Sequence, residues 1–257
     1  MTAAAGKSNP CESFSDKSCD PTVRGFLHRP ASPSGDSLVL THGAGGNAQM
    51  ALLVAVAEAF GGAGFTVLRC DLPFRQARWF GPPRPGDAVQ DRAGLKNAVA
   101  AMRKLASGRI FLGGQSYGGR QASMLLAEQQ QNTTFTTPST ELHRGTATEG
   151  RTPATEGASG KLADGLLLLS YPLHAPAKPD QPRIQHLPQL RVPTLFVSGT
   201  RDPFGSIEEI ETARKLIPAK TQLLVVEGAG HDLGFKGKTK RDDLPALVLK
   251  SFQSFFT

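Results

Sequence analysis

The segment Gly114-Gln-Ser-Tyr-Gly118 holds a serine between two glycines at G-x-S-x-G spacing. A serine hydroxyl attacks a carbonyl efficiently only when a base within hydrogen-bond reach takes its proton. A sharp strand-to-helix turn presents such a serine clear of its neighbours, and that turn explains the glycines. A serine held on such a turn has strained backbone angles, and larger flanking side chains would collide with the adjoining strand and helix. The turn also aims unpaired N–H groups of the next helix toward developing negative charge. The competing reading is an ordinary glycine-rich turn with a helix-capping serine. Against it stands the setting: the run Arg109-Ile-Phe-Leu112 before the serine reads as a strand, and the residues after it as a helix.

A base and an acid follow in the chain. Glu227-Gly-Ala-Gly-His-Asp232 sets His231 in a loop after the last expected strand, where it can reach above the sheet. Phe196-Val-Ser-Gly-Thr-Arg-Asp-Pro-Phe-Gly205 sets Asp202 in a turn stiffened by Pro203 and Gly205. A buried carboxylate there fixes the histidine tautomer and stabilises the imidazolium formed during attack. Asp202 also fits a plain turn or helix-capping role. Asp232 is the rival acid, disfavoured because adjacent residues do not readily align their side chains. The expected catalytic set is Ser116, Asp202 and His231, in the chain order that strand-turn-helix hydrolases use.

Acyl transfer further needs donors for the tetrahedral oxyanion. Tyr117 supplies one backbone N–H, and the loop His42-Gly-Ala-Gly-Gly46 the other, at Ala44. As a phosphate cradle, that loop lacks both the Lys-Ser/Thr ending and the G-x-G-x-x-G spacing. Arg75, Arg78, His174 and Arg183 fall in loops on the same side of the expected sheet. Among them Arg75 and His174 are the residues chosen as candidates for holding an anionic part of a substrate.

These residues are positioned by short apolar strands over 23–28, 37–41, 65–70, 109–112, 165–170, 194–198 and 222–226. Helical patterns cover 50–61, 88–105, the stretch from the end of Gly113–Gly119 to about 129, 207–216 and 244–256. Apolar strands alternating with helices predict an α/β fold, a mostly parallel central sheet covered on both faces. Ligands then bind at the carboxyl ends of the strands, where every motif above lies. Only a short excursion fits between Ser170 and Val192, so no large lid domain is expected. Residues 1–20 read as a loose or partly paired tail, and 21–257 as a single domain. Residues 130–161, rich in Thr, Gly, Glu, Ser and Pro, read as a low-complexity insertion.

The chain has 257 residues and a formal net charge of +7, but its basic residues are scattered. Even Lys236-Gly-Lys-Thr-Lys-Arg241 runs straight into two aspartates, so nucleic-acid binding is not expected. Three cysteines, with no paired or metal-ligand spacing, predict no metal and suit a reducing cytoplasm. No run is long enough for a membrane span, and no cofactor is called for.

Taken with Ser170-Tyr-Pro-Leu-His174, the motifs resemble an α/β-hydrolase family. That family contains a testis-expressed mammalian protein, the third subunit of the NSL histone-acetyltransferase complex, and bacterial relatives, and is similar in turn to dienelactone hydrolases. The resemblance spans roughly residues 37–257 apart from the insertion. It implies the α/β-hydrolase fold and a triad at Ser116, Asp202 and His231. The expected activity is hydrolysis of a carboxylic ester or related acyl bond of a small molecule, through an acyl-enzyme. A hydrolase-like scaffold that binds a protein partner, or a serine peptidase, is the alternative.

Overall fold

Runs of branched and aromatic residues bounded by Gly, Pro and Ser form the strands. In the computed structural model, which describes residues 11–134, 161–235 and 241–257, the described strands form one eight-stranded sheet. They are β1 (Cys11–Asp16), β2 (Val23–His28), β3 (Ser37–Thr41), β4 (Thr66–Cys70), β5 (Ile110–Gln115), β6 (Gly165–Leu169), β7 (Thr194–Gly199) and β8 (Thr221–Val226). The spatial order is β1-β2-β4-β3-β5-β6-β7-β8. β1 and β2 run antiparallel, as do β2 and β4, and every later pairing is parallel.

Among the described residues six α-helices connect or flank these strands: α1 (Ala51–Gly62), α2 (Pro73–Ala77), α3 (Asp87–Arg103), α4 (Tyr117–Thr134), α5 (Ile207–Arg214) and α6 (Leu244–Phe256). They cover both faces of the sheet, so each central strand is buried on both sides. The alternation of side chains along a strand then splits the core in two. Leu166 and Leu168 of β6 join Leu95, Val99 and Leu125 of α3 and α4, whereas Leu167 and Leu169 join the opposite cluster. There the rings of Phe60, Phe65, Phe111 and Phe252 pack edge to face, fixing α1 and α6 against the sheet. This is the α/β-hydrolase fold, with no large lid among the described residues.

Two expectations need correction and one is sharpened. Within the tail expected to be loose or partly paired, Cys11–Asp16 is an edge strand, with Cys11 opposite His28 and Asp16 opposite Val23. Its pairing uses backbone groups, so its polar, largely exposed side chains carry no apolar signal. The stretch between the expected strand at 65–70 and the expected helix at 88–105, read as without regular structure, contains α2, too short for a helical period to register, with Pro73 in its first turn. Helix α4 continues to Thr134, five residues past the expected end at 129; the rest of the expected insertion, to residue 160, lies outside the described residues. Among the described residues no helix is long and apolar enough to cross a membrane.

Candidate active site

The G-x-S-x-G segment forms the turn between β5 and α4. Ser116 has φ of 52°, a left-handed conformation that costs a non-glycine residue about 1–2 kcal/mol. Its N–H donates to the Leu169 carbonyl at 2.8 Å, which holds the strained residue against the end of β6. The two glycines are required by close approach. A Cβ on Gly118 would lie 2.5 Å from the His42 carbonyl oxygen, and one on Gly114 2.7 Å from the Gly119 nitrogen.

His231 lies in the turn after β8, and its Nε2 is 2.8 Å from Ser116 Oγ. Its Nδ1 is 2.8 and 2.9 Å from the two carboxylate oxygens of Asp202, in the turn after β7. The Asp202 side chain is 2% exposed. Its Oδ1 also accepts the Phe204 N–H at 2.9 Å, so the carboxylate is aimed from two sides. The two turns are laced together: Arg201 N–H donates to Ala229 O at 2.9 Å, and Gly228 N–H to Thr200 Oγ1 at 2.8 Å. The Phe204 ring stacks on the His231 imidazole at 4.1 Å. Asp232 points elsewhere, its Oδ1 accepting the Gly234 N–H at 3.2 Å. The structure thus brings Ser116, His231 and Asp202 into one hydrogen-bonded line.

The loop carrying Ala44 is tied down by buried polar contacts. His42 Nδ1–H donates to the Gly43 carbonyl at 2.8 Å, and Nε2 accepts the Leu72 N–H at 3.1 Å. Burial holds this imidazole below its ordinary pKa, which keeps it neutral with one nitrogen free to accept. Asp71 Oδ1 accepts the Ala48 N–H at 2.8 Å. On the other side of the elbow, buried Asp91 of α3 accepts the Tyr117 hydroxyl at 2.7 Å and the Phe74 N–H at 3.0 Å. Burial raises both the Asp91 carboxyl and the Tyr117 phenol above their usual pKa values. The Ala44 and Tyr117 N–H groups meet no acceptor among the described residues. Both residues line the cavity that holds Ser116 and His231.

That cavity has a volume of about 460 Å³. Arg75 and His174, expected to contact substrate, do not line it. Arg75 is buried and spends its guanidinium on four backbone carbonyls: Gly46 at 2.8 Å, Ala44 and Gly81 at 2.9 Å, and Arg78 at 3.3 Å. It is a positioning residue that braces the Ala44 loop. His174 faces away, its Nε2 3.3 Å from Glu209 Oε2, in a separate apolar groove against α5. Sequence reasoning missed Arg120 and Phe204, both of which line the cavity; Arg183, in the wider set of loop cations, does line it. Arg120 follows Ser116 by one helical turn, and that spacing was the available signal.

Arg75→Met should lower kcat about tenfold on neutral and anionic esters alike, and lower Tm, because the Ala44 loop loses its brace. Parallel assays on esters of equal chain length check this. A loss confined to anionic esters would make Arg75 a substrate contact instead.

Comparison with known proteins agrees with this architecture. The family described as alpha/beta hydrolase domain matches residues 34–253. The chain belongs to that family. Among solved structures it is similar to a dienelactone hydrolase from Anabaena variabilis, at 17% identity and a TM-score of 0.67, covering 97% of this chain and 99% of that one. It is similar also to an alpha-beta serine hydrolase homologue from Coxiella burnetii, at 16% identity and a TM-score of 0.65, covering 93% and 96%. A serine hydrolase without lid from Xanthomonas campestris matches at 13% identity and a TM-score of 0.64, covering 95% and 94%. At these identities the likeness is one of fold.

Proposed function

We propose that this α/β hydrolase is a serine esterase: it cleaves a carboxylic ester or related acyl bond of a small molecule through an acyl-enzyme. The observation that carries the reading is the 2.8 Å approach of His231 Nε2 to Ser116 Oγ, with Nδ1 held by buried Asp202. Ser116 Oγ attacks the carbonyl carbon while His231 Nε2 takes its proton. Asp202 stabilises the imidazolium, and the Ala44 and Tyr117 N–H groups receive the oxyanion. Collapse of the tetrahedral species expels the alkoxide, which takes the proton from His231. Water, deprotonated by the same imidazole, then attacks the acyl-serine, and Ser116 recovers its proton as the acid leaves. No step calls on a metal or cofactor.

The names of similar structures, serine hydrolase and dienelactone hydrolase, support this chemistry. The Tyr171-Pro-Leu-His174 and Gly199–Gly205 segments ally the chain with the testis-expressed and NSL-subunit group. The three free thiols suit a reducing cytoplasm.

A fluorophosphonate probe tests the proposal directly. Folded wild-type protein should be labelled on Ser116 with one-to-one stoichiometry, and Ser116→Ala not at all. A folded protein that stays unlabelled would favour the scaffold reading, in which the fold binds a partner protein without turnover.

A further inference from the structure

Resting on the esterase reading, we propose that Arg120 and Arg183 form a carboxylate-binding subsite beside Ser116, so that the preferred substrate is an acyl compound carrying its own carboxylate. Both arginines line the cavity that contains Ser116, His231, Ala44 and Tyr117, and none of the residues lining it is acidic. They come from different elements: Arg120 from the first turn of α4, Arg183 from the segment between β6 and β7.

Their unspent donors set them apart from the arginines nearby. Arg78 is paired with Asp87 at 2.6 Å, Arg92 with Glu128 at 2.9 Å, and Arg75 is consumed by backbone carbonyls. Arg120 Nε is buried, yet meets no hydrogen-bond partner among the described residues. Among the described residues the Arg183 side chain donates one long hydrogen bond, to the Pro172 carbonyl at 3.5 Å. Burial, and then the positive charge of Arg120, lower the pKa of Arg183, so the two cations sense each other across the site. His186, near Arg120, is neutral and adds no further positive charge: burial and the neighbouring arginines hold its pKa down to about 4.

Two half-buried cations without a counter-ion repel one another and forgo hydration. A ligand carboxylate relieves both costs. The planar fork of a guanidinium meets a carboxylate through two parallel charge-assisted hydrogen bonds. Arg120 lies one helical turn from the nucleophile, about 5–6 Å along the axis, so the carboxylate belongs a few bonds from the scissile carbonyl. The excess charge also draws anionic substrates toward the cleft.

The test compares para-nitrophenyl hemiadipate with para-nitrophenyl hexanoate, whose acyl chains have equal length, with Ser116→Ala as the blank. Wild-type protein should prefer the half-ester in kcat/KM by about 10- to 100-fold, and added salt should shrink that ratio. Arg120→Gln and Arg183→Gln should each cut the ratio at least about threefold, and Arg120→Lys should retain part of it. Equal kcat/KM for the two esters would overturn the subsite while leaving the esterase reading intact. So would variants that slow both esters with the ratio unchanged, since the arginines would then serve the oxyanion.

Should neither ester turn over, calorimetric binding of adipamate and hexanamide to Ser116→Ala protein tests the subsite without catalysis. Tighter binding of adipamate, lost in the arginine variants, supports the subsite, and equal binding overturns it.

Discussion

Ser116→Ala should reduce kcat on an activated ester by about ten-thousand-fold or more, which corresponds to at least about 5 kcal/mol of transition-state stabilisation. The alanine leaves the cavity, the Ala44 and Tyr117 N–H groups and the imidazole in position, so substrate still binds. What disappears is the covalent route, and the residual rate is that of water attacking a carbonyl held in the oxyanion site. Tm should change little, because the hydroxyl's one partner among the described residues is His231 Nε2, a part-buried contact. Ser116→Gly should be equally inactive yet more stable by about 1 kcal/mol, since glycine occupies φ of 52° without strain. Steady-state kinetics with thermal unfolding of both variants checks the pair. Retention of a tenth of wild-type kcat in Ser116→Ala would remove the nucleophile assignment.

Asp202→Asn should lower kcat by about a thousand- to ten-thousand-fold with a small change in KM. The hydrogen bonds explain the size of the effect. The Phe204 N–H donates to Oδ1, so in the amide that position must remain the carbonyl oxygen. The amide NH2 then takes the place of Oδ2 and faces His231 Nδ1 at 2.8 Å. That donor favours the tautomer with its proton on Nε2, which cannot accept the Ser116 proton. Asp232→Asn is the control, and its expected effect is within about twofold, because the Asp232 carboxylate accepts the N–H of Gly234 in its own turn. Equal losses in the two variants would refute the choice of acid.

The choice between these two aspartates shows how far local pattern reaches. Asp202 was readable because a strand, a turn proline and a following helix fix where a loop begins, and parallel sheets collect such loops at one edge. The elbow was readable for the same reason: glycine spacing between a strand and a helix reports a steric requirement met within a few residues. The placement of Arg75 outside the cavity was not legible, because two of its four acceptors, Ala44 and Gly46, lie 31 and 29 residues away along the chain. Nothing adjacent to it distinguishes a guanidinium that braces a backbone from one that meets a ligand. The same holds for His174, which also lies outside the cavity, its partner Glu209 being 35 residues distant.

The amino-acid sequence alone determined the alternation of strands and helices, the parallel sheet, and the loops that carry Ser116, Asp202 and His231. Each of these follows from short-range periodicity and turn chemistry. The folded structure decided which charged side chains are spent on backbone and which remain free. It tied Arg75 to the Ala44–Gly46 loop, turned His174 toward α5, left Arg120 and Arg183 lining the cavity that holds Ser116, and paired the polar strand at Cys11–Asp16 with β2. The physical reason is that a long side chain's direction depends on acceptors supplied by remote segments, and those acceptors converge only when the sheet and its two cores are assembled.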